Sequence, residues 1–211
     1  MKTEKRNKII AVFCALFLAA MALCIYFACE KNGIYKKTLR LHVIAESDSD
    51  ADQTVKLAVR DAILNEYAKT LTNMSSKDDA AKFILENREA IKNCADKTLE
   101  SFGADYRSTV EITKEIYPER KYGDVTLPMG EYTSVKIKLG KAEGHNWWCV
   151  LFPPLCRGAA TAEYDEEEAV LKSGGFSKGQ ISLVLKDERK IQIKFGIWEF
   201  IKKTFDKLVK N

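Results

Sequence analysis

The sequence predicts an α+β domain hung from an N-terminal membrane or signal helix. Three observations carry this expectation. Ile9–Cys29 runs 21 residues without a charge. Two consecutive segments between Asp52 and Phe102 place apolar residues at helical spacing. The segments that follow, up to Phe152, place them at alternate positions, which is strand spacing. Together these predict a mixed or antiparallel sheet covered by a two-helix hairpin, with a C-terminal hairpin and helix beyond it.

The N-terminal segment comprises residues 1–29. Met1–Lys8 carries Lys2, Lys5, Arg6 and Lys8 against Glu4 alone. A helix over Ile9–Cys29 matches a hydrocarbon core about 30 Å thick at about 1.5 Å per residue. The basic residues before it hold the N-terminus in the cytoplasm and send the remainder outward. No clean A-x-A site follows, and Tyr26-Phe27-Ala28-Cys29 is only faintly like a lipoprotein box, because Tyr26 stands where a small aliphatic residue is wanted. Retention as an anchor and removal as a signal peptide both stay open.

This segment accounts for the chain's apparent basicity. The whole chain has 34 basic and 30 acidic side chains; outside residues 1–29 there remain 30 and 29. A near-neutral exported part gives no sign of a nucleic-acid footprint.

The domain proper is expected over residues 30–156. Glu30–Lys37 reads as a short polar connector. Thr38–Ala45 sets Leu39, Leu41 and Val43 against Arg40 and His42, a strand in which His42 is a satisfied structural residue. Glu46–Asp52 is an acidic turn into a helix. Its D-x-D-x-D spacing fails the EF-hand template, since loop positions six and twelve counted from Asp48 are Gln53 and Val59. Ser and Asp here instead suit the free amides and dipole of a helix start.

Val55, Val59, Ile63, Tyr67 and Leu71 mark the first helix, and Met74-Ser75-Ser76 breaks it. Ser76-Lys77-Asp78-Asp79 resembles a capping box, and Ala80, Ile84, Ile91, Ala95, Leu99 and Phe102 line the second helix up to Gly103. Strands follow around Val110 and Ile112 and over Thr133–Leu139, with turns at Tyr122-Gly123-Asp124 and Leu127–Gly130. Trp147–Phe152 is an uncharged run that reads as a strand buried on both faces, ended by Pro153-Pro154. Two antiparallel strands thus lead into a third.

Cys149 and Cys156 are separated by six residues, two of them proline, which favours a chain reversal. On the oxidising side of a membrane they are expected to form a disulfide. A metal site built on His145, Cys149 and Cys156 lacks a fourth ligand and fits no zinc pattern. Cys94 reads as a free buried thiol on a helix.

Residues 157–180 are rich in Glu and Gly and read as a linker or loop. Residues 181–211 read as a hairpin, Ile181–Leu185 with Lys190–Phe195, and an amphipathic helix marked by Trp198, Ile201, Phe205 and Leu208. No H-E-x-x-H, Walker loop or C-x-x-C is present, and the two histidines lie 103 positions apart. Neither a catalytic set, a cofactor nor a small-molecule substrate is expected.

Beyond these patterns, Leu39-Arg40-Leu41-His42-Val43-Ile44-Ala45-Glu46-Ser47-Asp48-Ser49, then Asp52-Gln53, Lys56 and Val59-Arg60-Asp61, resemble the opening of the stage II sporulation protein R family. The resemblance continues through Tyr122-Gly123, Leu127–Tyr132 and Gly140, and closes with Asn146–Cys156. It implies a signalling protein exported from the forespore into the space between two membranes. It implies as partner a membrane-embedded aspartic protease that removes the pro-sequence of sigma factor E; the family member itself is not the protease. On this reading Asn146, Trp147, Trp148, Phe152, Pro153 and Pro154, with Glu46, Asp48 and Asp50 beside them, form the face that engages the protease. Two other classes stay open. One is a cell-wall-binding module with Trp147 and Trp148 as a sugar platform. The other is an envelope enzyme using Cys149 with His145.

Overall fold

The computed structural model describes residues 2–156 and 167–185. In chain order the elements are α1 (Lys2–Lys37), β1 (Leu39–Ile44), α2 (Asp50–Thr72), α3 (Lys77–Glu86), α4 (Arg88–Ser101), β2 (Ser108–Tyr117), β3 (Arg120–Tyr122), β4 (Val125–Leu127), β5 (Gly130–Leu139), β6 (Asn146–Phe152), α5 (Glu167–Ser173) and α6 (Lys178–Val184). The architecture is α+β with a mixed sheet, as the sequence predicts.

The caps form where the sequence places them. The Ser49 hydroxyl accepts from the Asp52 amide at 3.1 Å and opens α2. The Ser76 hydroxyl accepts from the Asp79 amide at 3.1 Å and opens α3. Each satisfies an amide that the first helical turn leaves without a partner. Gly103, at φ 74°, follows α4 and lets Ala104 donate back to Leu99. The second helix of the predicted hairpin is divided at Asn87, whose side chain donates to the Phe83 carbonyl at 2.9 Å.

The sheet order is β2–β5–β1–β6. This corrects the expected succession of antiparallel neighbours. β5 and β6 follow one another in sequence yet do not pair. β1 lies between them, parallel to β5 and antiparallel to β6. β6 is therefore an edge strand. Its last four residues are buried, while Trp147 and Trp148 are half-buried.

Two cores flank the sheet. Leu39, Leu41 and Val43 of β1 join Val59, Ile63, Ile84, Ile91 and Leu99 on the face covered by α2, α3 and α4. On the other face Ile34, Val125, Leu127, Val150, Leu155, Leu171, Phe176, Ile181 and Val184 form a second cluster. The sequence reading misses this second layer. Glu30–Lys37, expected as a connector, is the last part of α1, because Ile34 is buried in the second cluster and Tyr35 packs edge-on against Tyr132. Residues 167–180, expected as linker, contain α5 and the start of α6. Leu171 and Phe176 supply the apolar contacts that the local Glu and Gly content obscures. Ile181–Val184, expected as strand, completes α6, and Leu185 alone makes a bridge to Val125. Lys190–Phe195, Trp198–Leu208 and residues 157–166 lie outside the described residues.

Candidate functional site

The carboxyl end of β1 delivers the chain into the acidic turn. The turn between β5 and β6 lies directly against it. The Glu143 and Gly144 amides donate to the Glu46 and Ala45 carbonyls at 3.2 and 3.0 Å. The Glu46 carboxylate accepts from the Lys141 amide. Asp48 accepts from the His145 amide at 2.6 Å and faces the His145 ring nitrogen Nδ1. Two glycines permit the approach. A side chain at Gly144 would overlap the Ser47 carbonyl, and Gly140 takes φ 55° where a side chain would meet the Glu46 carboxylate.

Hydrogen bonds hold the acidic turn from both sides. Ser47 Oγ donates to Asp52 Oδ2 at 2.5 Å, and Tyr106 donates to Asp52 Oδ1 at 2.6 Å. These bonds hold the Asp52 carboxyl below its usual range, and burial followed by Asp52 pushes the Tyr106 phenol up. Lys56, buried on α2, donates to the His145 carbonyl at 3.0 Å; its burial lowers its pKa although Asp48 opposes the shift. Asp50 is exposed in the first turn of α2.

The predicted face is divided. Adjacent strand residues point to opposite sides of a sheet. Trp147 accordingly turns toward α2, where the Arg60 guanidinium lies 4.3 Å above its ring. Trp148 turns to the other side and stacks on His42 at 3.7 Å, with Tyr117 edge-on at 4.6 Å. The two rings cannot make one sugar platform, which removes the geometry of the wall-binding reading. Phe152 and Pro153 are buried at the far end of β6 with Pro154 half-buried beside them, so their side chains serve packing. Asn146, opposite Ile44 and next to the His145 that Asp48 holds, comes together with the acidic turn; Trp147 and Trp148 leave it on opposite faces, and Phe152, Pro153 and Pro154 lie at the far end of β6.

His42 is tied at both ring nitrogens, to the Glu115 carboxylate at 3.1 Å and to Asn146 Oδ1 at 2.7 Å. This is the satisfied strand residue that the sequence predicts. Glu115 also accepts from Lys136 at 2.6 Å. Burial alone would raise the Glu115 pKa. The bonds from Lys136, Ser134 and His42 outweigh it and keep the carboxyl below its usual range. Next along β1, fully buried Arg40 lies within 4.2, 5.3 and 4.9 Å of the ring centres of Tyr117, Tyr122 and Tyr132. It donates to the Cys149 carbonyl at 3.1 Å and to the Tyr122 hydroxyl at 2.5 Å. Burial lowers the Arg40 pKa and raises those of all three tyrosines. Sequence reasoning misses this layer. Its members come from five separate segments, and the only local signal is two polar residues alternating with leucines in β1.

Cys149 and Cys156 form a disulfide with Cα atoms 5.5 Å apart, as the spacing predicts. The bridge consumes the thiolate that the envelope-enzyme reading needs and two of the three ligands of the metal reading. Among the described residues no group of three or more His, Cys, Asp or Glu is arranged to hold a metal. Cys94 is free but half-buried, and burial, with Glu66 adding to it, pushes its pKa up to about 11.

The family model described as stage II sporulation protein R matches residues 35–162. The chain is 38% identical over 156 residues to the stage II sporulation protein R of Bacillus subtilis (strain 168). That alignment covers 72% of this chain and 66% of the relative, so the chain spans just under two thirds of the relative's length. No solved structure matches it.

Proposed function

The chain belongs to the stage II sporulation protein R family and so has a role in sporulation, and from that premise we propose that it activates a partner protease by binding. In this reading it is exported from the forespore and acts in the space between the two membranes. There it switches on the membrane-embedded aspartic protease that removes the pro-sequence of sigma factor E. It makes and breaks no bonds itself.

One observation supports this reading above others: the acidic turn and the β5–β6 turn are locked into one surface at the carboxyl end of β1. Glu46 and Asp48 are bound to the turn that carries His145. Asp50 is exposed beside them, and Asn146 opens β6. A binding surface of this kind activates only by differential affinity for two states of its partner. Carrying a protease from about 1% to about 99% active requires about 10⁴-fold tighter binding to the active form, about 5.5 kcal/mol. A few buried anchor contacts at an interface reach that magnitude.

The test reverses charge at the exposed carboxylates. The double variant Asp48→Lys, Asp50→Lys should accumulate outside the forespore at the wild-type level and lose sigma-factor processing. Wild-type processing in that variant would remove this face from the mechanism.

A further inference from the structure

Lys56 is a buried cation directly beneath the candidate site. It lies in α2 and is only 4% exposed. Its ammonium donates to Gln53 Oε1 at 2.5 Å and to the His145 carbonyl at 3.0 Å. Both partners are neutral oxygens, and the nearby Asp48 carboxylate acts on it through its charge. Other cations of the domain are placed differently. Arg60 shares two bonds with Asp61, Lys92 donates to Asp96 at 2.6 Å, and Arg40 lies among three tyrosine rings. Burial without a bonded carboxylate disfavours an ammonium, and it lowers the Lys56 pKa. An apolar side chain of similar volume would avoid that desolvation. The fold alone therefore gives no reason for a charge at this position.

The bonds it makes do give one. Gln53, which accepts from Lys56, donates through Nε2 to the Ser47 carbonyl at 2.9 Å. Gln53 and Lys56 thus run from the backbone of the acidic turn to the backbone of the β5–β6 turn. On its other side the His145 amide donates to Asp48 Oδ1 at 2.6 Å. Both backbone groups of His145 are therefore held by side chains, one from the acidic turn and one from α2. His145 is the last residue before β6, and Asn146 follows it, opposite Ile44 at the sheet edge. This closed circuit sets where Asn146 stands relative to Asp48.

We infer that Lys56, with Gln53, is a positioning residue: a buried clip, present for the surface and not for the fold, that fixes the spacing of Ser47-Asp48 against His145-Asn146 where the partner docks. The inference rests on the binding face proposed above and adds which buried group keeps that face in shape. A surface already set in its bound form loses less freedom on docking. A supporting group that lets the site loosen by about 1 Å removes that advantage. The clip thus acts on binding through the backbone of two turns, without touching the partner itself.

The test compares two lysines. Lys56→Met keeps an apolar stem and removes the charge and the donors. The freed carbonyl belongs to His145, an exposed residue, and takes water instead. For the full chain in detergent micelles the urea midpoint should stay level or rise, and the His145 amide proton should shift in the nuclear magnetic resonance spectrum. Sigma-factor processing at equal protein level should fall about tenfold or more. Lys92→Met removes an ammonium that does bond a carboxylate, on α4. It should lower the midpoint, leave the His145 amide proton in place and retain processing. A Lys56→Met chain that unfolds at clearly lower urea would make the ammonium part of the fold and overturn the inference. So would wild-type processing by that chain, or an equal loss in both variants, which would tie processing to stability. The charge-reversal variant keeps the two readings apart. Its loss of processing beside full processing by Lys56→Met refutes the clip and leaves the binding face standing, whereas full processing by the charge-reversal variant removes the face itself and the clip with it.

Discussion

The opposed tryptophans make a quantitative prediction. Trp147 lies under Arg60 at 4.3 Å, and Arg60 is 7% exposed. A cation over a tryptophan contributes about 0.5–1 kcal/mol in the open and about 2 kcal/mol when desolvated. Asp61 shares the guanidinium through hydrogen bonds at 2.8 and 2.9 Å and reduces what the ring gains. A coupling of about 1 kcal/mol between Arg60 and Trp147 follows. Trp148 is on the other face against His42, so its coupling to Arg60 should stay below about 0.5 kcal/mol. Two double-mutant cycles measure this: Arg60→Met with Trp147→Leu, and Arg60→Met with Trp148→Leu. Urea unfolding of the full chain in detergent micelles, followed by far-ultraviolet circular dichroism, supplies the free energies. Equal couplings in the two cycles would refute the assignment of the rings to opposite faces. So would a larger coupling to Trp148.

Two further predictions concern stability. Replacing Cys149 and Cys156 together by alanine should cost about 2.5 kcal/mol on the chain-entropy model for so short a loop; wild-type protein in reductant should unfold at the same urea concentration as the variant, and no shift in either would deny the bridge a role. The folded Glu115 carboxyl titrates below its unfolded range. Its contribution is therefore complete above the ordinary glutamate range and is lost as pH falls through the depressed folded value. Between about pH 5 and about pH 3 the wild type should lose more stability than Glu115→Gln, by about 1.4 kcal/mol for each pH unit that the folded value is depressed. Parallel pH profiles would show that Lys136 and His42 do not stabilise the charged form.

Much of the fold was legible in local sequence. Ser49 and Ser76 as caps, Gly103 as a helix stop, the alternation of Leu39, Leu41 and Val43, and the closeness of Cys149 to Cys156 all act over a few residues, where periodicity and turn chemistry decide. The separation of Trp147 from Trp148 follows from the strand period, which turns neighbouring side chains to opposite faces, yet the sequence reading put both rings on one face. The candidate site was half legible. Asp48 and Asn146 are found at one end of the sheet, but that follows from β1 inserting between β5 and β6.

By itself the sequence determined the membrane-length helix, the helix caps, the strand periods and the family to which the chain belongs. Only the tertiary structure decided that Glu30–Lys37 continues as helix, that Arg40 and His42 are buried, and that residues 167–184 form a second layer. The physical reason is range. A polar residue alternating with leucine signals a solvated face unless distant chain covers it, and the cover here comes from Tyr117, Tyr122, Tyr132 and Trp148, which no local pattern joins.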